Sequence, residues 1–133
     1  MRSVAREVVY QYIFSKEFNK TDDELFNSLL KTLDKEDDKN FAKLLIQFVE
    51  ANDEEYNNEI KVLSQNFKFD RILKSDLCAI KLGMAEFDNF VETPIPVIVD
   101  EAVKIAVKFS TEKSPDFVNG VLGKYISSHK REK

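Results

Sequence analysis

Apolar residues recur along this chain every three to four positions rather than every second one, which is the spacing of helices. From Ser3 to about Glu17, Val4, Val8, Tyr12 and Phe14 mark one face, and Val9 and Ile13 widen it. Thr21 or Asp22 can cap a short second helix whose buried positions are Leu25, Phe26, Leu29, Leu30 and Leu33, with acids at its start where the helix dipole favours them. After the polar link Asp34–Asp38, a long third helix is predicted from about Glu36 to Ser64, carried by Phe41, Leu44, Leu45, Phe48, Val49, Tyr56, Ile60 and Leu63. Its middle, Asn52 to Asn58, is polar and reads as facing solvent.

The second half is patterned more sharply. Asn66 to Ser75 reads as a boundary with a short helical turn that inserts Phe67 and Phe69 into the core. Ser75 or Asp76 then opens a helix with Leu77, Ile80, Met84 and Phe87 on one face. Gly83 lies inside it; an interior glycine costs about 1 kcal/mol against alanine, so close helix packing is the expected cause. Thr93 as cap and Pro94 at the first position start a helix through Phe109, and Ser114 and Pro115 start the last one. Asn119-Gly120 would suggest a hairpin turn between alternating strands. Here it is flanked by helical periodicity and reads as helix interior.

Composition narrows the class. At 133 residues, 43% hydrophobic and 33% charged, the chain reads as a single soluble domain, residues 1–133, all-α, with three Gly and three Pro. No apolar run approaches a membrane span, and the charged, amphipathic N-terminus does not resemble a secretory signal. One cysteine, Cys78, permits no internal disulfide and reads as a core residue; a cytoplasmic location is expected. The net charge of −4 is unevenly placed: residues 21–59 carry twelve acids against four lysines, while both ends are basic. Basic ends can support a local polyanion site, but the overall acidity argues against a general nucleic-acid binder.

Enzyme signatures are missing. There is no glycine-rich phosphate loop, and the single His129 supports neither a catalytic triad nor a metal cluster, so no catalytic residue, metal or cofactor is expected. Asp37-Asp38 and Asp53-Glu54-Glu55 read as solvated faces, and Asp100-Glu101 as a surface pair.

Two stretches carry a family likeness. Near the N-terminus stand Ala5-Arg6-Glu7, followed by a helix ending in the aromatic Phe14. In the second half stand Asp70-Arg71, Asp76, Ile80 to Glu86, Ile95-Pro96, Asp100 to Val103, Lys108-Phe109, Ser114 and the run Phe117-Val118-Asn119-Gly120-Val121-Leu122. This pattern resembles the bacterial NusB family of transcription antitermination factors. The undisturbed FVNGVL run is its most specific piece, and residues of about 20–65 match by helix pattern alone.

The resemblance implies an all-α bundle of about seven helices in two sub-bundles, about 1–65 and about 66–133. It implies an RNA-binding accessory factor, not an enzyme, which joins the ribosomal protein NusE on boxA RNA and loads onto the RNA polymerase antitermination complex. By position, the family's RNA contacts fall on Arg2, Ser3 and Arg6, and its NusE contacts on Phe14, Asp76 and Lys81. Asp76 is equally a helix cap on its spacing. The alternative reading is a protein–protein scaffold of the antitermination complex with weak or no RNA binding of its own. A bundle with exposed apolar faces could also form a homodimer.

Overall fold

The computed structural model describes residues 2–18, 23–64 and 68–129. Within them lie seven α-helices, one 3-10 turn and no strand. The helices are α1 (Arg2–Lys16), α2 (Asp23–Leu30), α3 (Glu36–Ala51), α4 (Asp53–Leu63), α5 (Lys74–Asn89), α6 (Ile95–Phe109) and α7 (Ser114–Ser128), and the 3-10 turn is Phe69–Arg71. The expected all-α architecture is therefore present. No helix among the described residues is long and apolar enough to cross a membrane.

Helix α5 is the axis of the molecule. Every residue from Asp76 to Phe87 is buried, because α1, α3, α4, α6 and α7 all pack on it. A helix enclosed in this way has no polar stripe to show. At Gly83 a Cβ would stand 2.6 Å from Leu122 Cδ2 and 3.5 Å from the Ala102 Cβ, so this glycine sets how closely α7 and α6 approach. The packing expected from sequence is the reason for it. Gly120 differs: it lies inside α7, as expected, but a Cβ there would meet nothing within 4 Å.

Helix α1 packs on α2 and α3 and also reaches α5 and α6. Its buried stripe is Ala5, Val8, Val9, Tyr10 and Ile13, while Val4 is exposed, so the helix is rotated from the expected face. The single long helix expected over 36–64 is two. The chain breaks at Asn52 (φ −119°, ψ 14°), whose amide Nδ2 donates to the Phe48 carbonyl at 2.9 Å. Asp53, Glu54 and Glu55 then occupy the first turn of α4, where the dipole of a new helix favours acids. The acidic run is thus a start signal as well as a solvent face, with Glu54 and Glu55 exposed as expected, whereas Tyr56, which follows it, is 3% exposed.

Helix starts elsewhere differ by one residue. Pro94 is the N-cap of α6, and the buried Thr93 hydroxyl caps nothing and has no partner. Lys113 precedes α7, and Ser114 Oγ accepts the Thr111 N–H at 3.1 Å. Phe69 packs against the core as expected. The expected caps Thr21 and Asp22, and the core position Phe67, lie outside the described residues.

Candidate functional site

The first turn of α1 is sewn to α5 and α6 by one buried arginine. Arg6 is 4% exposed. Its Nε and Nη2 donate to the two oxygens of Glu86 at 2.7 and 2.6 Å, a bidentate fork, and Nη1 donates to Glu101 Oε1 at 2.9 Å. Ser3 Oγ donates to the same Glu101 oxygen, and Lys104 Nζ lies 3.5 Å from the other. Burial alone would lower the Arg6 pKa; the hydrogen bond and charge of Glu86, and then those of Glu101, outweigh it and raise the pKa. Burial likewise pushes the Glu101 carboxyl up, but the Ser3 hydrogen bond and the charges of Arg6 and Lys104 hold it below the ordinary value.

Glu101 is therefore not the surface residue expected from its spacing, and Arg6 does not offer its guanidinium to solvent. A guanidinium has five N–H donors, and three of them are committed here to carboxylates. What α1 presents outward is Arg2, whose side chain is 45% exposed, together with the half-buried Ser3. Beside them on α6 stand Lys104 and Lys108, both exposed, with Lys108 Nζ 2.8 Å from Glu7. Sequence reasoning passed over these two lysines. Their i, i+4 spacing on the polar face of α6 was a visible signal, but only the fold brings that face beside α1.

A second region lies where the N-terminal turn of α5 meets the α6–α7 link. The Asp76 carboxylate accepts from Ser110 Oγ at 2.7 Å, and Ser110 also shares hydrogen bonds of 2.8 Å with Ser75 and Ser114. Asp76 is 6% exposed, and Leu73 rather than Asp76 is the N-cap of α5. Its carboxylate closes the inner side of a groove of about 580 Å³, mostly apolar in lining, with Leu73 and Phe117 on its walls and Arg71 and Lys113 at its rim. Tyr10 connects this region to α1: its hydroxyl donates to the Ser75 carbonyl at 3.2 Å and its ring stacks on Phe14 at 5.9 Å. Phe14, half-buried, also meets Phe18 edge-on at 5.0 Å. Phe14 and Asp76 thus belong to one side of the molecule.

Lys81 does not join them. It is 2% exposed, and its ammonium is 2.7 Å from Asp53 Oδ1 and 3.8 Å from Glu17 Oε2. It ties α5 to the start of α4 and the end of α1, so Asp53 is an ion-pair partner and not a free solvated acid. Asp38, in the run read as a solvated face, is 8% exposed. Cys78, beside Lys81, is fully buried as expected, and burial pushes its thiol up to about 12. No group of three or more His, Cys, Asp or Glu among the described residues could hold a metal ion.

These features define the class of the protein as an all-helical bundle with one arginine buried in its middle and a groove at the α6–α7 link. The NusB family model matches residues 1–127, and the chain belongs to that family. A relative from Acetivibrio thermocellus, named transcription antitermination protein NusB, is 32% identical over 127 residues, covering 94% of this chain and 88% of its own. The solved structure of T. maritima NusB superposes with a TM-score of 0.88 at 27% identity, covering 97% of this chain and 92% of that one. The crystal structure of antitermination factors NusB and NusE in complex with dsRNA shares the fold, with a TM-score of 0.84 at 24% identity, covering 96% and 97%.

Proposed function

We propose that this protein is a non-catalytic transcription antitermination factor that binds boxA-type RNA together with the ribosomal protein NusE and acts on the transcribing polymerase complex. Family membership over nearly the whole chain supports the class. The observation that carries the RNA side is the anchored first turn of α1. Arg6 holds that turn on Glu86 and Glu101, so Arg2 and Ser3 are fixed in place with Lys104 and Lys108 beside them. In this reading Arg6 is a positioning residue, and the lysines are the phosphate contacts. The NusE side is the surface of Phe14 and the groove next to Asp76. Lys81 supports that surface from inside by fixing α5 against α1 and α4.

The test is a titration of boxA-type single-stranded RNA, with and without NusE, at several salt concentrations. Removing one cationic partner of a single-strand phosphate flattens the salt slope by about 0.7. Replacing both Lys104 and Lys108 by alanine is expected to flatten it by about 1.4. Arg6→Lys keeps charge but loses the fork, so it is expected to weaken binding while leaving the slope unchanged. A double lysine variant with the wild-type slope would remove these residues from the interface.

The burial of Arg6 favours one rival, a protein–protein scaffold with little RNA binding of its own, because Arg2 is then the one exposed arginine of the described part of α1. Stable co-purification with NusE without any RNA shift at low salt would decide for that rival.

A further inference from the structure

We propose that the outer face of the Arg2 guanidinium is a stacking platform for one unpaired guanine of a single-stranded RNA, with Asp37 reading the base edge. The inference rests on the RNA-binding reading above and gives the chemistry of one part of it. Arg2 Cζ lies 4.5 Å from the centroid of the Phe41 ring and 6.0 Å from that of Phe90. The two rings meet edge-to-face at 4.8 Å and are 3% and 7% exposed, so they form a fixed floor under the cation. A guanidinium laid on an aromatic floor keeps one flat face toward solvent, and guanidinium planes are a recurrent stacking surface for splayed-out RNA bases. That face opens on a groove of about 610 Å³ bounded by Lys35, Asp37, Asp38, Leu44 and Phe90, wide enough to take a base.

Charge separates a base from a phosphate here. Among the described residues around Arg2 stand the carboxylates of Asp37 and Asp38 in the groove and of Glu92 at 3.8 Å, against Lys35; Arg6, 5.4 Å from the centroid of the same Phe41 ring, is already balanced by Glu86 and Glu101. Three acids against two cations repel a phosphate and leave a neutral base unopposed. Leu44, 44% exposed at the same groove, adds apolar contact that a phosphate cannot use. Asp37 is exposed in the first turn of α3 and accepts hydrogen bonds only. Among the bases, guanine alone presents two adjacent donors, N1–H and N2–H, to a carboxylate, and no acceptor stands between them.

The experiment uses the full chain, with NusE present, and a uridine dodecamer carrying one central guanine, one central adenine or neither, titrated by anisotropy at several salt concentrations. Arg2→Lys keeps the charge and loses the plane; it is expected to bind the guanine strand about tenfold more weakly with an unchanged salt slope, within the range for one stacked base. Asp37→Asn is expected to erase the preference for guanine over adenine and to leave the all-uridine strand unaffected. Wild-type affinity in Arg2→Lys, or a slope flattened by about 0.7 in Arg2→Ala as for a phosphate ligand, would overturn the stacking site and leave the RNA reading standing. Absence of RNA binding by the wild type would overturn both. Both positions are on the surface, and a matching thermal melt separates weaker stacking from a failure to fold.

Discussion

Removing Arg6 is among the most severe single changes the structure predicts. Arg6→Ala strands Glu86, which is fully buried, and Glu101, which is 8% exposed, with their charges facing a void. Taking one partner from a buried ion pair costs about 3–5 kcal/mol, because the remaining charge is left without a partner. Two features set where this case falls in that range. Glu86 loses both arms of a bidentate fork, and no other side chain among the described residues donates to it, which pushes the cost up. Glu101 keeps Ser3 and Lys104, which moderates it. For a chain of 133 residues the entropy of unfolding is about 0.28 kcal/mol/K, so the melting temperature should fall by about 11–18 °C.

The loss should also depend on pH in a stated direction. A stranded carboxylate relieves its penalty by taking up a proton, so the gap between wild type and variant should narrow as pH falls from about 7 toward about 4. Urea unfolding followed by circular dichroism at a series of pH values measures both effects. Arg6→Ala combined with Glu86→Gln should recover part of the loss at neutral pH, since a neutral amide is cheaper to leave buried than a charge. A single variant within about 1 kcal/mol of wild type at neutral pH, or a gap that widens on acidification, would refute the reasoning.

Other outcomes follow from the same geometry. Gly83→Ala should destabilise by about 1–3 kcal/mol, because the new Cβ would force Leu122 aside, whereas Gly120→Ala should stabilise by about 0.5–1 kcal/mol; parallel melts compare them. Glu101→Gln should cost stability at neutral pH and progressively less in acid: the folded Glu101 pKa lies below its unfolded value, so its contribution is present above the ordinary carboxylate range and is lost as pH falls through the folded value. Cys78 should react with a thiol reagent at about pH 8 only as fast as the native structure opens, since its thiol is buried and pushed up to about 12; a rate that instead equals that of a free thiol would contradict that burial.

Most of the helical plan was legible from spacing. The stripes on α6 and α7 lie where the apolar pattern puts them, because those helices bury one face each, and the two Pro-led starts fall within one residue of their capping signals. The break at Asn52 was not, because apolar positions continue across it at helical spacing and the acids after it read equally as a solvent face. The rotation of α1 was hidden too: Val4 and Tyr12 fit a helical stripe as well as Ala5 and Val9 do, and only packing on α3 and α5 chooses between them. Charged residues were the least legible. Arg6, Lys81 and Glu101 are marked in the sequence as charged and nothing more; what buries them is a partner 28 to 95 residues away. The family pattern marked Arg2 and Arg6 by position, but it could not say that Arg6 faces inward while Arg2 faces out.

The Arg6 fork also sets a schedule for the nascent chain. Its partners lie 80 and 95 residues downstream, so at a synthesis rate of about 5–20 residues per second roughly 5–20 s separate the arginine from the completion of its second carboxylate. During that interval α1 can coil and touch α3, but its first turn has nothing to lock onto. The stretch translated first is thus among the last to be secured, and its lock closes only on a chain whose α6 has already left the ribosome.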